Sequence, residues 1–311
     1  MRAVVMIDDS TGPRLAETPE PAPGPGEVKV RVRASSLNGF DALLAAGTLK
    51  NMYEHRFPLA LGKDFAGTVV DVGAGVTDLT VGDEVFGVVS RPLPTDGGGF
   101  GEYLITDAHA GIARLPAGLD HRTAGALGLA GSAAVAAMDA LALASGETVV
   151  VSGASGGVGA FVVQLAARAG ASVIATATPG AATDHVRDLG ARHVVDYHDD
   201  LPARVRELAP DGVTAAVHLA GDWFELAGLL TDGGRVVSLL HAGSDLAAGR
   251  AITATAVMAT PSRPVLDRLA TEATTGRLRV PISRTLRLDD VPAALGAFGT
   301  GSLGKVAVAV S

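Results

Sequence analysis

The chain has 311 residues, of which 48% are hydrophobic, 40 are glycine and 4% are aromatic, a composition typical of a globular α/β protein and not of a disordered chain. A formal net charge of −8 and the lack of a long Lys/Arg run argue against nucleic acid and anionic membranes as partners. The sequence has no cysteine, which excludes disulfides, thiolate nucleophiles, iron–sulfur clusters and thiolate zinc sites.

The first part of the chain is predicted to be mostly β. Its opening segment, MRAVVMIDDS, has one basic residue and too short an apolar run for a signal-peptide core, so we expect a cytoplasmic protein. Valine recurs at positions 28, 30 and 32, which is the two-residue period of a half-buried strand. The predicted strands lie at residues 3–7, 27–34, 66–72, 84–89 and 102–105, between turns that contain glycine or proline.

From about residue 121 the hydrophobic period changes to that of alternating strands and helices. A helix is predicted at 124–144, and strands at 148–152, 172–176, 193–197, 215–219 and 235–239 alternate with helices near 160–169, 181–189, 200–208 and 222–230. This alternation predicts a doubly wound parallel sheet. Beyond it we expect a helix at 264–275, a strand at 277–285, a helix at 291–299 and a strand at 305–310 that rejoins the β-rich part.

Residues 148–167 are twenty uncharged residues, a transmembrane length. Glycines at 153, 156, 157 and 159 divide this segment into a β-branched run and a helix, so we expect a strand, a turn and a helix, and no membrane span.

The turn, residues 154–159, matches the dinucleotide fingerprint G-x-G-x-x-G with alanine in the first glycine position. Such a turn brings a pyrophosphate to the free N–H groups of a helix N-terminus.

The segment about twenty residues beyond this turn bears on which cofactor is bound. Enzymes that use NAD usually place Asp or Glu there, on the ribose hydroxyls, whereas this chain has Thr176, Ala177 and Thr178. The missing acid permits NADPH, with NADH still possible. No Arg or Lys in residues 176–183 is available to hold a 2′-phosphate.

A series of short motifs resembles one family along essentially the whole chain. The motifs are PGPGE (23–27), SLN (36–38) with Asp41, PLALGKDFAG (58–67), VGDEV (81–85), GGFGEY (98–103), ALGLAG (126–131), the glycine turn, LGA (189–191), GGRVV (233–237) and GKV (304–306). They resemble the medium-chain dehydrogenase/reductase superfamily, within it the zinc-independent quinone oxidoreductase (zeta-crystallin-like) group. The resemblance implies a GroES-like β-rich catalytic domain, residues 1–118 and 264–311, into which a Rossmann dinucleotide-binding domain, residues 119–263, is inserted.

The resemblance also implies a reaction without a metal. Zinc-dependent members hold the metal near the positions of Asn38, Lys63 and Asp64, where this chain lacks the family's Cys, His and Glu. We therefore expect no metal site and an NADPH-dependent reductase of quinones or α,β-unsaturated carbonyls, in which hydrogen bonds hold the developing enolate and solvent supplies the proton. Members of the family are commonly dimeric through the Rossmann domain, so we expect a homodimer.

Four residues are candidates for catalysis. Asn38 is expected to contact the nicotinamide ribose or an enolate oxygen, or to form a turn; Asp41 is either functional or the cap of a helix. Lys63 either neutralises an enolate or pairs with Asp64, and Tyr53 is a donor candidate in a polar loop. The candidate cofactor contacts are Ala133, Ser155, Gly156, Gly157, Val158, Gly159, Thr176, Ala177, Tyr197, Leu219, Ala220 and Leu240.

The chain also departs from the family pattern. Gly39, Leu43 and Ala133 stand where members often have other residues, which keeps open a relative that binds NADPH without catalysis. A further alternative within the enzymes is an enoyl-thioester reductase of the same superfamily.

Overall fold

The fold is described from a computed structural model, which describes residues 1–8, 10–50, 57–90, 97–240, 251–299 and 303–310. The strands are β1 (Arg2–Met6), β2 (Arg14–Glu17), β3 (Glu27–Ser36), β4 (Leu59–Ala60), β5 (Asp64–Val72), β6 (Glu84–Val88), β7 (Tyr103–Asp107), β8 (Ile112–Arg114), β9 (Thr148–Val151), β10 (Ser172–Thr176), β11 (His193–Val195), β12 (Val213–His218), β13 (Leu230–Ser238), β14 (Thr253–Ala256), β15 (Ile282–Arg287) and β16 (Lys305–Ala309). The helices are α1 (Gly39–Ala45), α2 (His121–Ala124), α3 (Gly128–Leu141), α4 (Gly157–Arg168), α5 (Ala181–Asp188), α6 (Leu201–Leu208), α7 (Trp223–Ala227), α8 (Arg263–Thr274) and α9 (Val291–Gly296).

The chain divides into two compact units. The first comprises Met1–Ser132 and Pro261–Ser311, and the second Ala133–Thr260. The domain boundaries expected from the sequence, at 118/119 and 263/264, remain a prediction. Within the described residues, no helix is both long and apolar enough to cross a lipid bilayer.

The first unit is built on β3. This strand alternates buried valines at 28, 30 and 32 with more accessible Lys and Arg, and it pairs antiparallel with β5, β7 and β16. The strand order is β15-β16-β3-β5-β6-β8, with β7 also on β3, and a second sheet has the order β2-β1-β4. Phe65, Phe86 and Phe100 fill the core. The predicted return of the last strand, β16, to the β-rich part is confirmed.

In the second unit, the described residues form a six-stranded parallel sheet of order β11-β10-β9-β12-β13-β14. Strands β9, β10 and β12 are almost continuously buried, as expected of parallel strands that are covered on both faces. The chain order reverses between β9 and β12, and ligands of such sheets bind beyond the carboxyl ends of the strands at this reversal. The expected fold class, a doubly wound parallel sheet together with a β-rich unit, is confirmed.

Two predicted elements were wrong. The helix expected at 124–144 is shortened to α3, and residues 125–127 form a turn that separates it from the short α2. In this region, a Cβ on Gly125 would lie 2.9 Å from the Ala34 carbonyl oxygen, and one on Gly128 2.9 Å from Val88 Cγ2. The strand expected at 277–285 begins only at Ile282. Its predecessor, Pro281, has no N–H for a ladder and instead accepts a bond from the Lys305 N–H at 2.7 Å.

The close contact between the glycine turn and α4 gives a first prediction. A Cβ on Gly159 would lie 2.3 Å from the Gly153 carbonyl oxygen and 2.6 Å from Ala154 Cα, so Gly159→Ala must push α4 away from the turn. We expect it to lower the free energy of unfolding by about 1 to 3 kcal/mol. Gly156→Ala is the matched control, because its Cβ would meet only the Gly153 oxygen at 3.4 Å and its φ is −79°. Urea unfolding of both variants checks this, and equal midpoints would contradict it.

Candidate functional site

The turn after β9 is fixed by a serine. Ser152 Oγ donates to the Val217 carbonyl at 3.2 Å and accepts from the N–H groups of Leu219 at 3.1 Å and Ala220 at 3.4 Å. One hydroxyl thereby joins the ends of β9 and β12, the two strands at which the sheet order reverses. Sequence reasoning missed Ser152, because a serine at the end of a strand carries no pattern of its own.

A threonine fixes the same turn from the other side. Gly153 has a φ of +66°, and its N–H donates to Thr176 Oγ1 at 3.0 Å. A Cβ on Gly153 would lie 3.1 Å from Ala220 Cβ and 3.2 Å from Leu219 Cβ. The structure therefore brings three predicted cofactor residues, Thr176, Leu219 and Ala220, to the glycine turn.

The N-terminus of α4 has free hydrogen-bond donors. Gly156 is its N-cap residue and has no side chain to cap the first turn, so the first N–H groups of the helix lack an intrahelical acceptor. Residues 155–158 are partly exposed, whereas Gly159 is buried against the turn. The Gly156 N–H already donates to the Gly153 carbonyl at 3.2 Å. The remaining donor set fits a bound pyrophosphate, which Ser155, Gly157 and Val158 would hold, with Gly156 allowing its close approach.

The other predicted cofactor residues differ in how far they are exposed. Tyr197 is exposed, and its ring centroid lies 4.3 Å from that of His198. Leu240 is exposed, and its N–H donates to Ser238 Oγ at 3.2 Å. The side chains of Ala133 and Ala177 are buried, and the Ala177 N–H donates to the Val195 carbonyl at 3.0 Å.

In the first unit, a carboxylate lies at the centre of a buried polar group. Asp64, at the start of β5, is fully buried. Its Oδ2 accepts from Ser36 Oγ at 2.5 Å and from Asn38 Nδ2 at 2.8 Å, and lies 3.4 Å from Lys305 Nζ. Its Oδ1 accepts from the Leu129 N–H at 2.7 Å, at the N-terminus of α3. We call Ser36, Asn38, Asp64 and Lys305 the Asp64–Lys305 cluster.

The lysine of this cluster also sets the orientation of the asparagine. Lys305 Nζ donates to Asn38 Oδ1 at 2.6 Å and to the Leu37 carbonyl at 3.2 Å. Both ends of the Asn38 amide are therefore occupied, its oxygen by Lys305 and its nitrogen by Asp64 and the Ser36 carbonyl. Lys305 was not among the candidate residues, because it lies 241 residues from Asp64 and local patterns do not show such contacts.

Asp41 caps α1, one of the two alternatives raised by the sequence. Asn38 is the N-cap residue, and its N–H donates to Asp41 Oδ2 at 3.0 Å. The carboxyl group is fully buried, and its Oδ1 has no hydrogen-bond partner among the described residues. Burial raises the pKa of Asp41 to about 7, with the nearby Asp64 charge adding to the effect.

Lys63 lies close to Asp41 and not in an ion pair with Asp64. The predicted alternative that Lys63 pairs with Asp64 was wrong, since Asp64 forms its ion pair with Lys305. Lys63 Nζ donates to the Val89 carbonyl at 2.9 Å and lies 5.3 Å from the centre of the Phe40 ring. Burial lowers the pKa of Lys63, and the Asp41 charge opposes this shift.

Asp41 and Lys63 face one small pocket of the first unit. It has room for about one water molecule, and its walls are Phe40, Asp41, Leu44, Ala60, Gly62, Lys63 and Val89. The fourth catalytic candidate, Tyr53, lies outside the described residues.

The Asp64–Lys305 cluster does not fit a zinc ion. Zinc takes three or four N, S or O ligands, yet the Asp64 carboxylate and the Asn38 oxygen are already bonded to an ammonium group. Among the described residues, no group of three His, Cys, Asp or Glu side chains is placed to hold a metal ion.

Two family models match the chain in succession. Residues 24–117 match the alcohol dehydrogenase GroES-like domain, and residues 157–253 match the zinc-binding dehydrogenase domain. The structure of the quinone oxidoreductase from Coxiella burnetii superposes with a TM-score of 0.89 at 25% identity, covering 100% of this chain and 99% of that one.

Curated relatives match part of the chain. Polyketide synthase GfsB from Streptomyces halstedii is 40% identical over 207 residues, which are 65% of this chain and 3% of that protein. The chloroplastic NADPH-dependent alkenal/one oxidoreductase from Arabidopsis thaliana is 32% identical over 213 residues, 67% of this chain and 54% of that protein. The matched region is thus a small fraction of the first relative and about half of the second. By both domain matches and by its fold, the chain belongs to the medium-chain dehydrogenase/reductase superfamily.

Proposed function

We propose that the chain is a zinc-independent, NADPH-dependent reductase that transfers a hydride to quinones or α,β-unsaturated carbonyls. The observation that carries the proposal is the Lys305 ammonium group, which bonds to Asn38 and Asp64 at the positions where zinc-dependent members hold their metal. An alcohol needs a Lewis acid or an equivalent base to release its proton, whereas a conjugated carbonyl accepts a hydride without one.

The second unit supplies the cofactor site of this proposal. When bound, a reduced nicotinamide dinucleotide supplies the hydride. The N–H groups at the start of α4 would bind its pyrophosphate, and the turn held by Ser152 and Thr176 would keep those donors in place. Preference for NADPH is supported by the lack of an acid at residues 176–178 and by the similarity to the NADPH-dependent alkenal/one oxidoreductase of Arabidopsis thaliana.

The first unit supplies the polar groups for the substrate. Lys63 is a cation beside a small pocket whose other walls, apart from Asp41, are mainly apolar, and in such surroundings a negative oxygen is stabilised more strongly than in water. Asn38 is held in one orientation by Asp64 and Lys305, which suits a positioning role. The resemblance to a quinone oxidoreductase and to an alkenal/one oxidoreductase supports this substrate class.

A second candidate function is reduction of an enoyl thioester. It is favoured by the matches to polyketide synthases, among them GfsB and the phthioceranic/hydroxyphthioceranic acid synthase of Mycobacterium tuberculosis, which is 37% identical over 198 residues. An enoyl thioester is also a conjugated carbonyl, so the same residues serve both reactions. The two differ in which acceptor is turned over fastest.

A homodimer through the second unit remains part of the proposal. Strand β14 ends the described sheet and pairs with β13, which leaves its other edge as a pairing surface. The exposed Met258 follows this strand.

The reductase proposal predicts cofactor oxidation with conjugated acceptors. Protein treated with a chelator and mixed with NADPH and a panel of quinones, enones and a crotonyl thioester should lose the absorbance of reduced nicotinamide. Quinones or enones turned over faster than the thioester support the main proposal, and the reverse order supports the second candidate. Tight NADPH binding without turnover of any acceptor would contradict both and favour a non-catalytic relative.

Cofactor preference is predicted to depend on charge at Thr178. Thr178→Asp places a carboxylate where a 2′-phosphate is expected, and the repulsion should raise KM for NADPH at least about tenfold with little effect on NADH. Thr178→Asn has nearly the same shape without the charge and is the matched control. Steady-state kinetics with both cofactors measures these KM values. An equal rise of KM for NADPH in the two variants would count against a 2′-phosphate next to residue 178.

Lys305 is predicted to stabilise the first unit by compensating the Asp64 charge. Lys305→Met leaves a buried carboxylate without its cation and should lower the free energy of unfolding by about 3 to 5 kcal/mol. The double variant Lys305→Met/Asp64→Asn removes that carboxylate as well and should regain part of the lost stability. Arg204→Met removes the exposed pair with Glu207 and should cost less than about 1 kcal/mol. Urea unfolding, with and without a chelator, measures these values. A wild type destabilised by the chelator would show that a metal contributes.

A further inference from the structure

Asp41 has more hydrogen-bonding capacity than its structural role uses. The capping contact employs Oδ2 alone, through the Asn38 N–H, and leaves the buried Oδ1 without a partner in the part of the chain that the structure describes. A buried carboxylate oxygen without a partner is costly, and a neutral capping side chain would avoid that cost. The helix cap therefore accounts for Oδ2 of this carboxyl group and gives no role to Oδ1.

The charged groups around Asp41 shift its pKa in opposite directions. Asp64 is negative, whereas Lys305 and Lys63 are positive. Burial and the Asp64 charge favour the protonated form of Asp41, and the two lysines and the Asn38 N–H favour the ionised form. The pKa of about 7 that results is close to that of an efficient general acid at neutral pH.

Asp41 and Lys63 share one small pocket. Its other walls include Phe40, Leu44 and Val89, and it has room for about one water molecule. The two groups form no direct hydrogen bond among the described residues, so a proton can move between the carboxyl and amino groups only through that water. Burial lowers the pKa of Lys63 as it raises that of Asp41, so the proton affinities of the two groups approach one another.

We propose that Asp41 is the proton donor of the reduction and that it delivers its proton through Lys63. This inference rests on the proposed reductase function and replaces solvent as the immediate proton source. After hydride transfer to the β-carbon, the substrate is an enolate with one negative charge. A proton leaves Lys63 Nζ for the α-carbon, the Asp41 O–H bond breaks to return a proton to Lys63, and water then reprotonates Asp41. With a quinone, the proton goes to the oxyanion instead.

The test compares Asp41→Asn, which keeps an oxygen for the Asn38 N–H but carries no acidic proton, with Asp41→Glu, which keeps the acid. Asp139→Asn, at an exposed position of α3, is the control. The readouts are kcat as a function of pH for a substrate that the wild type reduces, and the dissociation constant for NADPH by fluorescence. A further variant, Lys63→Met, removes the relay.

The donor form of Asp41 exists below its pKa, so the wild-type kcat should fall as pH rises through about 7. In Asp41→Asn we expect kcat about 10²-fold lower and without that fall, while NADPH binding is unchanged. Asp41→Glu should retain the pH dependence, Lys63→Met should slow the reaction, and Asp139→Asn should behave as wild type.

Three results would overturn the inference. In the first, Asp41→Asn keeps the wild-type rate and pH dependence. In the second, it loses NADPH binding together with activity, and Asp41→Glu does not restore the pH dependence, which would mean a structural role. In the third, Lys63→Met is slow but Asp41→Asn is not, which would make Lys63 the donor by itself. A wild type that reduces no acceptor refutes the proposed function itself, and the proton-donor role with it.

Discussion

The first unit depends on the compensation of one buried carboxylate. A charge in a dry interior is tolerated only when it is paired and hydrogen-bonded, and Asp64 obtains both from segments that are far apart in the sequence. Ser36 and Asn38 bond to it from the end of β3, Leu129 from the start of α3, and Lys305 from the start of β16. The last strand and α3 are therefore fixed at the same point as the two central strands. The N-terminal dipole of α3 adds to the stabilisation of the carboxylate.

The same interaction shapes the chemistry of its neighbours. Lys305 bonds to Asp64 and Asn38 and so compensates the Asp64 charge. Lys63 is not needed for that compensation, and its ammonium group faces the adjacent pocket. The negative charge of Asp64 in turn favours a protonated Asp41. An internal ammonium group thus compensates the buried charge of Asp64, and the remaining ionisable side chains, Asp41 and Lys63, face the pocket.

Hydrogen bonds between strand ends fix the turn of the second unit. Ser152 joins β9 to the loop after β12, and Thr176 holds the Gly153 N–H from the end of β10. His218 extends this network through Ser238 Oγ at 2.9 Å and the Gly221 carbonyl at 3.1 Å. Since a carbonyl only accepts, Nε2 of His218 is its donor and Nδ1 accepts from the serine. Such preorganisation lowers the entropy cost of binding a dinucleotide.

Local signals in the sequence were sufficient for the fold and for the cofactor turn. The alternating valines of β3, the strand–helix alternation after residue 121 and the glycines of the turn are short-range patterns, and each corresponds to an element of the structure. The substrate-side site was harder to predict. Lys63 and Asp64 are adjacent in sequence, but successive residues entering a strand point to opposite sides, so their pairing was the wrong inference. The true partner, Lys305, is too distant in sequence for any local pattern to indicate.

The most direct measurement of the central claim is the fate of a labelled hydride. Protein verified to be free of metal would be given an enone and NADPH that carries deuterium at the transferable position of the nicotinamide, and the product would be examined by NMR. The account predicts deuterium at the β-carbon and hydrogen from solvent at the α-carbon. Formation of unlabelled product, or reduction that occurs only after zinc is added, would contradict it.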